Sequence, residues 1–93
     1  MPKVLLIEDE VQLGQIVKDS LEMRGFEMLY AADGKEGLRI YQQERPDVVV
    51  LDIMMPNMDG FSVTAEIRKQ DKFTPIIFLT AKSQTADVVK GFG

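Results

Sequence analysis

A chain of 93 residues suits a single domain near the lower size limit for a self-sufficient core, and 45% apolar with 28% charged residues is the balance of a globular sequence rather than a disordered one. With 15 acidic and 11 basic residues the formal charge is −4, which argues against nucleic acid binding by this segment. Cysteine and histidine are both absent, so disulfides, thiolate or imidazole metal ligands and histidine-based acid/base chemistry are excluded.

The chain opens with MPKVLLIEDE, whose apolar run of four residues is too short for a signal peptide or a membrane span. With no membrane contact and no cysteine, the default location is the cytoplasm. The run Val4, Leu5, Leu6, Ile7 is continuous rather than alternating, as in a strand buried on both faces, and it closes on Glu8 and Asp9. Leu13, Ile16, Val17 and Leu21 then follow helical spacing up to Gly25, which stands where a helix C-cap belongs. Residues 26–31 are a weaker strand candidate. The segment from about Gly34 to Glu44 carries Leu38 and Tyr41 on one stripe and meets a proline at 46.

The most informative stretch is VVVLDIMMPNMDG, residues 48–60. Four apolar residues run into a single carboxylate, Asp52, and the pattern then breaks into a loop with Pro56, Asn57 and Gly60. Residues 61–69 read as a helix although they alternate, because Phe61/Ala65 and Val63/Ile67 are also i,i+4 pairs and Asp59 can cap the start. A third continuous apolar run, Ile76 to Leu79, ends in Thr80, and a last helix is expected from about 83–85, carrying Val88, Val89 and Phe92.

Strand and helix thus alternate four times, the pattern of an α/β parallel sheet wound with helices on both faces. Ligand sites of such sheets lie beyond the carboxyl ends of the strands. If strands one, three and four are neighbours, Glu8, Asp9, Asp52 and the Thr80 hydroxyl meet there. Several carboxylates without a counter-cation cannot all ionise comfortably, and a hard divalent cation such as Mg2+ relieves the repulsion with oxygen ligands. The loop 53–60 can turn a carbonyl toward that ion. Thr80 and the backbone N–H of Ala81 offer donors to a phosphoryl oxygen, and Asp52 is placed as the nucleophile that would form an acyl phosphate.

Each feature alone has a plainer reading. Glu8, Asp9 and Glu10 could form the acidic first turn of a helix, Asp52 could cap a turn, Thr80 could be a satisfied loop hydroxyl, and Met54, Met55 and Met58 are first of all packing residues. Their coincidence at three strand ends is what favours phosphoryl chemistry.

The acidic pair in VLLIEDE (4–10), the acceptor segment VVVLDIMMPNMDG and the hydroxyl strand PIIFLTAK (75–82) together resemble the receiver domains of two-component response regulators, over all 93 residues. The resemblance implies a flavodoxin-like doubly wound sheet with Asp52 accepting phosphate from a sensor histidine kinase. It implies that Glu8, Asp9, Asp52 and the Met54 carbonyl hold Mg2+, and that Thr80 senses the phosphoryl group. Any catalysis is then limited to self-phosphorylation and self-dephosphorylation, with an output domain or protein downstream.

The family's pattern continues with a fifth strand ending in a lysine and a fifth helix. The expectation is therefore a C-terminally truncated receiver over 1–93, with strand order 2-1-3-4. Lys82, on a different strand end, is no substitute for that lysine. Strand four would be left with a bare edge through which the chain self-associates. Two alternatives remain: a receiver-like interaction fragment without phosphotransfer, and an Mg2+-dependent aspartate-nucleophile phosphohydrolase. The latter is disfavoured because Met54 stands where such enzymes place a second acid.

Overall fold

The computed structural model describes residues 1–55 and 58–79. Within them the chain forms β1 (Lys3–Ile7), α1 (Val11–Met23), β2 (Glu27–Ala31), α2 (Gly34–Glu44), β3 (Val48–Asp52), α3 (Gly60–Gln70) and β4 (Ile76–Leu79). All strand pairs are parallel, in the order β2-β1-β3-β4. The expected sheet order is therefore observed. The expected last helix and Thr80, Ala81 and Lys82 lie outside the described residues.

Continuous apolar strands produce two cores, because successive side chains point to opposite faces. Leu5, Ile7, Ala31, Val49 and Leu51 face the side covered by α2 and α3, where they pack with Tyr41, Val63 and Ile67. Val4, Leu6, Met28 and Val50 face the other side, toward Val17 and Leu21 of α1. The stripe expected on α1 is narrower than its spacing suggests: Ile16 is 64% exposed, and Val17 and Leu21 carry the contact with the sheet.

The helix ends follow local chemistry. Gly25 adopts φ +94° just past the Arg24 cap, and the Phe26 N–H returns to the Leu21 carbonyl, closing the last turn of α1. Asp33 caps α2 by accepting from the Glu36 N–H at 2.8 Å. Arg45, in the left-handed region at φ 46°, ends α2 one residue before Pro46. Asp59 caps α3 through the Ser62 N–H at 2.8 Å, the role its position suggests. The acidic first-turn reading of residues 8–10 does not hold: α1 begins at Val11, Glu10 is its N-cap residue, and its first turn holds no acid.

Candidate functional site

Register brings the acids together. Ile7 pairs with Leu51 across β1 and β3, so the next residues, Glu8 and Asp52, come side by side at the carboxyl edge of the sheet. The chain runs outward from β1 to β2 and returns past β1 to β3, which makes this gap the topological switch point of the sheet.

Glu8 and Asp52 are both fully buried, while Asp9 is half-buried. One carboxylate oxygen from each of Glu8, Asp9 and Asp52 lies within 4.8 Å of the others. Backbone N–H groups two residues on orient two of them. Glu8 Oε2 accepts from the Glu10 N–H at 2.9 Å, and Asp52 Oδ1 accepts from the Met54 N–H at 3.2 Å. Two like unit charges 4 Å apart repel by about 4 kcal/mol at an effective dielectric constant of about 20, a cost that a divalent cation among them would remove. An all-oxygen set of three carboxylates fits Mg2+ or Ca2+ and suits softer metals poorly.

Gly60 supports the floor of the site. A Cβ there would stand 2.6 Å from the Asp52 carbonyl oxygen, so only glycine lets the first turn of α3 close onto the end of β3. The Gly60 N–H seals the approach by donating to the Ile53 carbonyl at 2.8 Å.

The three methionines divide. Met55 is buried in the core and Met58 packs against it, whereas Met54 is 69% exposed, contrary to the packing role expected of it. Met54 lines an open groove of about 520 Å³ with Ile53, Met55, Asp59 and Phe61. A residue the sequence did not flag also reaches the site: the Tyr30 hydroxyl donates to the Glu8 carbonyl at 2.5 Å.

A buried acidic cluster at the switch point of a 2-1-3-4 parallel sheet defines an α/β module with a cation-suited acidic site. The response regulator receiver domain profile matches residues 4–93, and the chain belongs to that family. Among curated relatives, the "Probable transcriptional regulator ycf27" of Guillardia theta is 48% identical over 89 residues, covering 96% of this chain and 35% of the relative. The transcriptional regulatory protein AfsQ1 of Streptomyces coelicolor is 44% identical over 91 residues, covering 98% and 40%. The chain thus spans well under half the length of these relatives.

Among solved structures, the response regulator TrrA of Thermotoga maritima in complex with Mg2+-BeF superposes with a TM-score of 0.83 at 35% identity, covering 94% of this chain and 76% of that one. The same protein in complex with the histidine kinase ThkA gives a TM-score of 0.81 at 38% identity, covering 87% and 70%. The chain is accordingly a receiver domain of the two-component type, with a flavodoxin-like fold.

Proposed function

We propose that this receiver accepts a phosphoryl group on Asp52 from a phosphohistidine of a sensor kinase, with Mg2+ held by Glu8, Asp9, Asp52 and the Met54 carbonyl. The observation that carries the reading is the convergence of three carboxylates on one point at the switch of the sheet. When bound, the cation would supply charge neutralisation for both the carboxylates and the incoming phosphoryl oxygens.

Asp52 is the acceptor because it is central. It closes β3, and its Oδ1 is oriented by the Met54 N–H. In the transfer a new O–P bond forms at the Asp52 carboxylate as the P–N bond of the phosphoimidazole breaks, and the departing imidazole takes up a proton. Hydrolysis reverses the modification: water adds to phosphorus, inorganic phosphate leaves and the carboxylate is restored. In this reading Thr80 and the Ala81 N–H contact the phosphoryl oxygens, and the module acts in the cytoplasm upstream of an output segment. The complex of TrrA with a histidine kinase supports the partner class, and the relatives named as transcriptional regulators support the output.

The test is direct. Incubation with a small phosphodonor and Mg2+, followed by borohydride reduction, is expected to map the acyl phosphate to Asp52. Asp9→Asn is expected to weaken Mg2+ binding in an amide-shift titration, with the turns after β1 and β3 moving first. Label retained in Asp52→Asn, or a metal response confined to Asp33 or Asp71, would overturn the assignment.

A further inference from the structure

We infer that Tyr30, seated in a notch at Gly14, is a positioning residue for the acidic pocket: its hydroxyl holds the β1–α1 turn in the conformation that aims the Glu8 and Asp9 carboxylates at Asp52. The inference rests on the metal-site reading above and adds to it a residue from β2, a strand that contributes no carboxylate to the site.

Three contacts carry it. The Tyr30 hydroxyl donates to the Glu8 carbonyl, on the residue that supplies the buried carboxylate. Glu8 is then held at two further points, since its N–H donates to the Ala31 carbonyl at 3.0 Å and its side chain accepts from the Glu10 N–H, while Ile7 before it is locked in register with β2 and β3. Finally, the ring reaches the turn only because α1 has no side chain at position 14. A Cβ on Gly14 would lie 2.5 Å from Tyr30 Cε1 and 3.0 Å from its hydroxyl oxygen.

Glycine inside a helix costs up to about 1 kcal/mol relative to alanine, a local penalty that this fit explains. The peptide joining Glu8 to Asp9 has its oxygen fixed by Tyr30, so rotation of that peptide, which would swing Asp9 away, is opposed by the tyrosine. Tyr30 contributes no ligand to metal or phosphoryl group. It acts through Glu8.

The experiment compares Tyr30→Phe and Gly14→Ala with the parent chain, and uses Tyr41→Phe as a control that loses a tyrosine hydroxyl far from the pocket. Mg2+ dissociation constants come from amide-shift titration, and hydrogen exchange at the Glu10 amide reports the Glu8 carboxylate without any metal. Losing one net hydrogen bond is expected to weaken Mg2+ binding by roughly 3- to 10-fold and to raise exchange at Glu10 by a similar factor.

Gly14→Ala should do the same by displacing the ring. The two changes should be less than additive in the double variant, because both break one contact. Tyr41→Phe should lower thermal stability and leave both readouts unchanged. Unchanged Glu10 exchange and Mg2+ affinity in Tyr30→Phe would overturn the inference, as would equal effects from Tyr41→Phe. Absence of Mg2+ binding by the parent chain would instead overturn the metal-site reading, while Glu10 exchange in the metal-free variants still decides the role of Tyr30.

Discussion

Among the described residues outside the pocket, Asp71, just past α3, is the carboxylate that accepts the most hydrogen bonds from the protein. Its Oδ2 accepts from the Tyr41 hydroxyl at 2.6 Å and from the Thr74 hydroxyl, and its Oδ1 accepts from the Phe73 and Thr74 N–H groups at 2.9 and 3.1 Å. Donors favour the charged form, so the Thr74 hydroxyl first, then Tyr41 and the two amides, hold Asp71 well below the usual carboxylate range. Because the folded value is depressed, this stabilisation is complete above the unfolded value near 3.8 and is lost as pH falls below it. Asp71→Asn is therefore expected to be less stable than the parent at pH 7, with the gap narrowing steadily as pH falls below about 4 in denaturant titrations; a gap independent of pH would refute it. Burial, followed by the hydrogen bond to Asp71, raises Tyr41 above its ordinary value, so this contribution persists below pH 10 and fades in stronger alkali. Tyr41→Phe should cost about 1 kcal/mol. None of this is legible in the sequence, since Tyr41 and Asp71 are 30 positions apart and only the packing of α2 beside α3 joins them.

Gly60 shows how an element boundary sets the position of a functional group. Its missing Cβ leaves room for the Asp52 carbonyl, and backbone on both sides leaves nothing free to give way. Gly60→Ala is expected to destabilise the fold by about 1–3 kcal/mol, the range for overpacking, and to shift the Asp52 and Ile53 amide resonances; unchanged resonances with full stability would show that α3 can slide. The strands were legible because burial on both faces writes itself as an uninterrupted apolar run, and the acids were legible because each terminates such a run. Segment 61–69 was ambiguous for a physical reason: Val63 and Ile67 turn inward and are fully buried, while Phe61 is 62% exposed and meets Phe78 in a tilted ring contact with centroids 5.5 Å apart. Alternation there reflects an outer contact rather than a strand. Tyr30 was not legible because a polar-tipped aromatic is ordinary in a half-buried strand, and its role depends on an empty position in α1.

At the scale of the molecule, the sheet edges differ. Among the described residues β4 pairs with β3 alone, and its four residues Ile76–Leu79 contain neither charge nor proline, with Ile77 47% exposed. Apolar edges without a charge inside them invite pairing with another chain, because main-chain donors and acceptors on the outer side can be satisfied by a second strand. Among the described residues the opposite edge, β2, pairs only with β1 and begins with the exposed Glu27, whose charge works against the same event. The 93-residue polypeptide, studied by itself, is therefore expected to self-associate through β4 rather than β2, and a two-fold pairing of β4 with its copy closes the assembly at a dimer. Light scattering coupled to size exclusion over a range of concentrations should show a monomer–dimer equilibrium, with amide exchange at residues 76–79 slowing as the dimer fills. Ile77→Lys places a charge within the run and should shift the equilibrium toward monomer, whereas a charge removed from β2 by Glu27→Gln should leave it in place. A monomer at every concentration, with fast exchange along β4 and cooperative unfolding, would show that this edge is protected by other means.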